Sequence, residues 1–462
     1  MATINLHFCG TECWPTEGMG LGVGGDPRIF AEESGYIPVK LYELSKNDNI
    51  SFVMPGPGAP WADMYSQLWF PTSLGLTPGS IDTVAGNSMG DIAGHAVACC
   101  LGIPSSGRLK DKPTKNDIAQ TINMFDPAIR DLRWRLGAEL TPMSGKTFAG
   151  RCWWSATNIK SLSKRLEFYN VRDPVEVINI IGHSRGGVAA IMASHDIHDL
   201  FPNAKINIFA IDPVPGTGSL TRRMVTLSKG VKNYVGIYAI DERSGGFNGI
   251  VPRYHNSDQK EVDPLEFGGL ANNRRPNDRL LGGGEYKLIY SPGRHATVAG
   301  NITIDGKDNP SKVHPRYSEY VALLVFRLAK SYFISWGSKF AESSISRAPT
   351  QQIIRDLKTP HAQDHFKKMR ESTYNTGSGG GLVYFKERGV TSSSGNNPKD
   401  WEYLEEVIGI AVRVGFFGGY RSSKYQQTTT INNQHYEIHR PNKRWESLTE
   451  IESTNFTSIP PS

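Results

Sequence analysis

The sequence predicts an α/β fold in which a mostly parallel central sheet is flanked by helices. Six short apolar runs rich in Val and Ile end abruptly at polar or glycine residues, as buried parallel strands do. Segments of helical period lie between them, and strands that alternate with helices build a parallel sheet. The predicted strands are residues 3–9, 50–54, 176–181, 205–211, 234–240 and 286–290.

The segments between the strands supply helices and long loops. Apolar residues spaced three and four apart predict helices over 118–136 and 187–196. Right-handed crossovers place the carboxyl ends of parallel strands along one edge, where loops collect around a site. Three long, glycine-rich loops are expected there, 55–91, 212–221 and 243–284, and they are candidates for a lid.

The chain of 462 residues is long enough for one large domain with insertions and an appendage. Beyond about Trp336 the sequence becomes more polar, and Gly/Ser-rich stretches interrupt it at 376–381 and 392–397. We therefore expect a main domain over residues 1–335. Residues 336–462 are expected to form a C-terminal accessory region of unknown role.

Composition and charge exclude several classes of protein. Apolar residues make up 38% and charged residues 21%, which suits a folded globular protein. The net charge of +6 is scattered along the chain, which argues against a nucleic-acid partner. The five cysteines form no metal-binding spacing, and no signal peptide or membrane-spanning run is visible. We expect a protein made in the cytoplasm.

The segment Gly182-His183-Ser184-Arg185-Gly186 has the pattern of a nucleophile elbow. An elbow needs a strand that stops, a tight turn that lifts one side chain clear, and a helix that starts at once. An apolar strand precedes Ser184, and small residues flank it on both sides. The pattern predicts that Ser184 is the nucleophile of an α/β-hydrolase fold.

A second match to the same short pattern occurs at Gly86-Asn87-Ser88-Met89-Gly90. The segment before it contains turn-forming residues and an aspartate where a core strand should be. No acidic residue at the end of a predicted strand follows it within the next 80 residues. Ser88 is therefore the less favoured candidate, and a loop before a packed helix explains it.

A serine nucleophile needs a histidine to remove its proton and an acid to orient that histidine. In this fold the chain order is Ser, acid, His. Asp212 and Asp241 each follow a predicted strand, and His295 follows the last one. We favour Asp241, because the usual acid follows the second strand after the nucleophile, and keep Asp212 as the alternative. Acyl transfer by these groups requires no metal or organic cofactor.

The tetrahedral intermediate needs two backbone N–H donors for its negative charge. One normally comes from the residue after the nucleophile, which is Arg185 here. The other comes from a loop after an earlier strand, and the first strand ends at Gly10. We expect the amides of Gly10 and Thr11 to point inward there, with Thr11 as the oxyanion donor. A simple turn is the competing interpretation.

Six motifs in register resemble a bacterial hydrolase family that includes type VI secretion phospholipase effectors. They are HFCGTE, VMPGPGAP, GHSRGG, FAIDPVPG, YAIDER and SPGRHATVAG, over roughly residues 3–300, and they are more distantly similar to fungal-type lipases. Cys9 stands where the family has Asp, and Ala296-Thr297 stand where it has Ser-Asp. The resemblance implies a lipase or phospholipase A acting on membrane lipids, delivered by a specialised secretion system into a target cell.

The leading hypothesis is thus a carboxylic ester hydrolase that acts through an acyl-enzyme on lipid or phospholipid substrates. Peripheral membrane contact and a secretion-system or immunity-type protein partner are expected with it. Two alternatives stay open: an esterase or thioesterase for small esters, and a non-catalytic binding protein that has kept the hydrolase fold.

Overall fold

The computed structural model describes the sheet, its flanking helices and the segments that join them directly. The described residues are 2–11, 13, 35–45, 49–54, 56–57, 89, 92–93, 96, 100, 175–216, 220, 222–242, 247–256, 259, 261–262, 280–281, 284–300, 315–340, 349–371, 390–391 and 445–451. Ser88, the predicted helix over 118–136 and most of the candidate lid loops lie outside them.

A seven-stranded sheet in which every pair of neighbours is parallel forms the centre of the molecule. All six predicted strands belong to it, which confirms an α/β architecture. The bounds of its strands are β1 Ala2–Phe8, β2 Ile50–Met54, β3 Val175–His183, β4 Lys205–Ile211, β5 Val231–Ala239, β9 Tyr286–Ser291 and β11 Trp445–Ser447. These strands run in the spatial order β11-β9-β5-β4-β3-β1-β2.

Four short strands form two ribbons beside the main sheet. β6 (Gly249–Ile250) pairs in parallel with β10 (Val390–Thr391), and β7 (Tyr254–His255) pairs antiparallel with β8 (Glu261–Val262). The described helices are α1 Ile37–Ser45, α2 Arg185–Leu200, α3 Arg222–Val225, α4 His295–Val298, α5 Pro315–Ser335, α6 Thr350–Leu357 and α7 Pro360–Glu371.

The sheet is covered on both faces, so its strands are buried between two apolar layers. One layer packs α2 against the sheet through residues such as Val188 and Ile191. The other packs α1, α5, α6 and α7 through residues such as Leu41, Phe333 and Phe366. Burial on both faces explains why the strands read as near-continuous apolar runs.

The described residues beyond 336 are not a separate appendage, contrary to the expected division at 335. β11 pairs in parallel with β9 and adds an edge strand to the main sheet. Ile353, Phe366 and Leu448 are buried in the same apolar layer as α5.

A row of asparagines, three of them buried and one half-buried, crosses four neighbouring strands. Asn5, Asn179, Asn207 and Asn233 occupy matching register positions on β1, β3, β4 and β5, and we call them the asparagine ladder. The side-chain amide of Asn233 donates to Asn207 Oδ1 at 2.7 Å, that of Asn207 to Asn179 Oδ1 at 2.8 Å, and that of Asn179 to Asn5 Oδ1 at 3.4 Å. Because buried amides need partners, the ladder fixes the strand register.

Among the described helices, none combines the length and the apolar character that crossing a bilayer would require.

Candidate active site

Ser184 occupies the sharp turn between β3 and α2. Its backbone has φ 56° and ψ −130°, a conformation that few non-glycine residues adopt. The amide of Ser184 donates to the carbonyl of Ile211 at 3.0 Å, and its own carbonyl accepts from Gly187 at 3.0 Å. These bonds hold the strained residue in place between the strand and the helix.

The glycines around Ser184 are required by close packing of the backbone. A Cβ on Gly186 would lie 2.2 Å from the carbonyl oxygen of Cys9, at the end of β1. A Cβ on Gly182 would lie 2.6 Å from the carbonyl oxygen of Gly186. The small residues read from the sequence therefore let the turn fit against β1 and against its own helix.

His295 and Asp212 form a buried pair beside this turn. His295 Nδ1 lies 2.7 Å from Asp212 Oδ2, and Asp212 is fully buried at the end of β4. The second carboxylate oxygen of Asp212 accepts the amide of Ala239 at 3.2 Å. β4 neighbours β3, with Ile211 opposite His183, so Ser184 and Asp212 follow directly at the same edge of the sheet.

The preference for Asp241 as the partner of His295 is wrong. Asp241 is buried at the end of β5, but its Oδ2 accepts the backbone amide of Gly293 at 2.7 Å. Its Oδ1 forms an ion pair with Arg370 Nε at 2.9 Å. The alternative acid, Asp212, is the one that contacts the imidazole, while Asp241 contacts the backbone of the segment that carries it.

The ring of His183, immediately before Ser184, packs against His295 with ring centres 4.5 Å apart. Burial, and next the nearby His295, hold the pKa of His183 well below its usual value, so its ring is neutral. Its Nε2 lies 3.3 Å from the carbonyl oxygen of His295, which can only accept, so Nε2 carries the proton. Nδ1 is then the acceptor.

Tyr36, which precedes α1, completes this arrangement. Its hydroxyl lies 3.0 Å from His183 Nδ1 and therefore donates to it. The same hydroxyl oxygen accepts the backbone amide of Gly10. A directed chain of hydrogen bonds thus runs from the end of β1, through Tyr36 and His183, to the backbone of His295. It links the three segments that meet around Ser184.

The two candidate oxyanion donors are joined directly to each other. Arg185 is the first residue of α2, where backbone amides have no partner within the helix. Its side-chain Nη1 donates to Thr11 Oγ1 at 2.6 Å. The expectation that Gly10 also offers an inward amide is wrong, because that N–H is bonded to Tyr36. Thr11 and Arg185 remain the predicted donors.

Sequence reasoning missed two neighbours of His295, Glu242 and Phe247, and one residue that contacts His183, Tyr36. Glu242 Oε2 accepts the backbone amide of His295 at 3.3 Å, and Phe247 packs edge-on with ring centres 5.0 Å apart. Tyr36 acts through His183. Glu242 follows Asp241 in the strand-end motif, so its position offered a signal. Tyr36 and Phe247 lie in segments without a motif, and only the folded chain brings them here.

Among the described residues, no group of three or more His, Cys, Asp and Glu side chains is arranged to hold a metal ion. The described cysteines, Cys9, Cys13 and Cys100, are buried and are not joined by disulfide bonds.

No protein-family model matches this chain, and no curated protein matches it. Among solved structures, it is similar to an uncharacterized protein from Pseudomonas aeruginosa, with 14% sequence identity and a TM-score of 0.41. The match covers 80% of this chain and 50% of that one. The chain therefore spans half the length of that protein.

Proposed function

We propose that this protein is a serine hydrolase of the α/β-hydrolase type that cleaves carboxylic esters through an acyl-enzyme. The observation that carries the proposal is the 2.7 Å contact of Asp212 with His295 Nδ1, next to a serine held at positive φ between strand and helix. A strained turn, an oriented histidine and a buried acid together are the parts that activate a serine hydroxyl.

In the acylation step, His295 Nε2 takes the proton of Ser184 as the hydroxyl oxygen attacks the ester carbonyl carbon. Asp212 accepts the Nδ1 proton, which fixes the tautomer that leaves Nε2 free to act as base, and it stabilises the imidazolium that forms. The imidazolium then protonates the departing alcohol. The ester C–O bond breaks, and the acyl group stays on Ser184.

In the deacylation step, His295 removes a proton from water, which attacks the acyl carbon and releases the carboxylic acid. The proton returns to Ser184. Both steps pass through a tetrahedral oxyanion, for which the amides of Arg185 and Thr11 are the proposed donors. The hydrogen bond between the Arg185 side chain and Thr11 supports this assignment, because it couples the two donor segments.

Lipid esters are the proposed substrates, in particular the fatty-acyl esters of phospholipids. This part rests on the resemblance of six motifs to the phospholipase effector family, which also suggests secretion into a target cell and an immunity-type partner. It implies peripheral contact with a membrane. The arrangement of Ser184, His295 and Asp212 supports acyl transfer in general, so substrate choice needs its own experiment.

The first experiment tests whether Ser184 is the nucleophile. A fluorophosphonate probe should label wild-type protein, and labelling and p-nitrophenyl butyrate hydrolysis should both be lost in Ser184→Ala, by about 10³-fold or more. Ser194→Ala is the matched control, since Ser194 is also buried and donates to Ile191 within α2. A folded wild type that neither labels nor hydrolyses would favour the non-catalytic binding protein.

The second experiment tests the substrate class. Vesicles of phosphatidylcholine and phosphatidylglycerol are incubated with the protein, and released fatty acid and lysolipid are measured beside a panel of p-nitrophenyl esters of increasing chain length. The proposal expects Ser184-dependent lipid release and preference for long chains. Turnover of short esters or thioesters without any lipid release would replace the lipase with a small-ester hydrolase.

A further inference from the structure

We propose that the ion pair between Asp241 and Arg370 positions the segment that carries His295, so that the end of α7 belongs to the machinery of the active site. This inference rests on the proposed hydrolase function and assigns roles to two residues that lie outside the triad. Both are positioning residues, because they act on His295 through its backbone and not on substrate.

Asp241 is hydrogen-bonded to the backbone of Gly293, two residues before His295. Its Oδ2 accepts the amide of Gly293 at 2.7 Å, and its own amide donates to the carbonyl of Gly293 at 3.2 Å. Gly293 has φ +100°, a conformation that strongly favours glycine. The chain thus reverses sharply at a point that Asp241 holds from two sides, and α4 begins at His295 immediately after it.

The carboxylate of Asp241 is itself held from the C-terminal region. The Asp241 side chain is fully buried, and Arg370 Nε approaches its Oδ1 to 2.9 Å from the last turn of α7. Burying a carboxylate costs desolvation free energy, and the positive charge of the Arg370 guanidinium offsets part of that cost for Asp241. Removal of Arg370 alone would take this ion-pair partner away from a carboxylate that stays buried.

The residue before Arg370 contacts the same segment. The side chain of Arg294 donates to the carbonyl of Met369, and Thr297 Oγ1 lies 3.9 Å from Met369 Sδ. Arg294 and Thr297, which flank His295 and Ala296, therefore both contact the C-terminal end of α7. Together with Asp241, these contacts hold the backbone of the segment, while Asp212 orients the imidazole ring.

Displacement of the imidazole by about 1 Å is enough to cost up to about 100-fold in rate. Loosening the Asp241–Arg370 pair should therefore reduce kcat while leaving KM nearly unchanged, because no substrate contact is lost. A role limited to overall stability would change neither constant in the molecules that remain folded.

The test compares Arg370→Gln, Arg370→Lys, Asp241→Asn and the Asp241→Asn/Arg370→Gln double variant in the full chain. Arg355→Gln is the matched control, because Arg355 lies exposed on α6 and hydrogen bonds within that helix to Gln352. Hydrolysis of p-nitrophenyl butyrate gives kcat and KM, and circular dichroism gives the folded fraction. A proton NMR spectrum follows the low-field signal of the His295–Asp212 hydrogen bond.

Arg370→Gln is expected to lower kcat by about 10- to 100-fold with KM within about twofold of wild type, and to weaken the low-field signal. Arg370→Lys, which keeps the charge, should recover most of kcat. The double variant should be more active than Arg370→Gln alone, because it no longer buries a carboxylate that has lost its Arg370 partner. Arg355→Gln should match wild type.

A kcat for folded Arg370→Gln within about twofold of wild type would overturn the inference, as would a double variant whose loss is the product of the two single losses. If Arg370→Gln does not fold, a double variant with wild-type kcat overturns it equally. Absence of Ser184-dependent turnover in wild type would instead remove the proposed function. The NMR signal would then still decide whether Arg370 holds His295 in place.

Discussion

Replacing Asp212 by Asn should disable the histidine through its tautomer while leaving the fold intact. The carboxylate of Asp212 serves two donors at once, the Nδ1–H of His295 at 2.7 Å and the amide of Ala239 at 3.2 Å. An Asn side chain has only one oxygen. Because the amide of Ala239 can only donate, that oxygen stays with Ala239 and the new NH₂ group faces His295.

The consequence for the chemistry follows from this orientation. An NH₂ group that donates to Nδ1 makes Nδ1 the acceptor, so the ring proton moves to Nε2. A protonated Nε2 cannot take the proton of Ser184. The loss of kcat expected from the wrong tautomer is about 10⁴-fold, or about 5.5 kcal/mol of activation free energy. Turning the Asn over would set its NH₂ against the Ala239 amide, which is also unfavourable.

Asp241→Asn is the matched comparison, since both acids are buried at the ends of neighbouring strands. Asn at 241 keeps an oxygen for the Gly293 amide, so its kcat should fall by only about 10-fold, or about 1.4 kcal/mol. The assay is p-nitrophenyl butyrate hydrolysis with the folded fraction checked by circular dichroism. Equal losses in the two variants, or a larger loss in Asp241→Asn, would refute the assignment of Asp212 as the triad acid.

Three further predictions concern stability, each measured by urea unfolding. Gly186→Ala should lower the unfolding free energy by about 1–3 kcal/mol, because the new Cβ meets the Cys9 carbonyl at 2.2 Å. Asn207→Leu should cost a similar amount, about 1–3 kcal/mol, since both its neighbours in the asparagine ladder lose a buried partner; an unchanged midpoint would contradict the ladder's role. Burial lowers the pKa of His7 to about 3 from 6.5, so the unfolded state binds one more proton between these values and stability falls as pH falls below 6.5. Between pH 8 and pH 5 this loss is about 2 kcal/mol, and His7→Leu should flatten the stability profile by that amount.

The strands of the sheet were predictable because their burial on both faces imposes a simple apolar pattern. β11 was missed because its three residues, Trp445–Ser447, form no apolar run and pair with the sheet on one side only. The asparagine ladder did leave a trace in the sequence, as Ile-Asn followed by an apolar residue in β1, β3 and β4. The pattern is not informative within a single strand, because the asparagines form a ladder only when the strands pair in the observed register.

The positions of Ser184 and His295 were predictable for a different reason, which is that each follows a strand in a glycine-containing segment with a recognisable motif. The choice between the two acids, by contrast, could not be predicted from the sequence. Asp212 and Asp241 end neighbouring strands, β4 and β5, in nearly identical motifs. Which carboxylate meets the imidazole depends on backbone angles, and Asp212 reaches it with φ 41°, a conformation that Asp tolerates better than most residues.

The two acids are distinguished by what needs their negative charge. The imidazole of His295 requires a carboxylate that accepts its Nδ1 proton, and Asp212 supplies it. The reversed chain at Gly293 requires an acceptor for a buried amide, and Asp241 supplies that one. The second carboxylate has an arginine on its other oxygen, and that arginine comes from α7, far along the sequence. A local motif cannot contain a partner so distant, so the separation of an orienting acid from a positioning acid emerges only when the C-terminal helices pack onto the sheet.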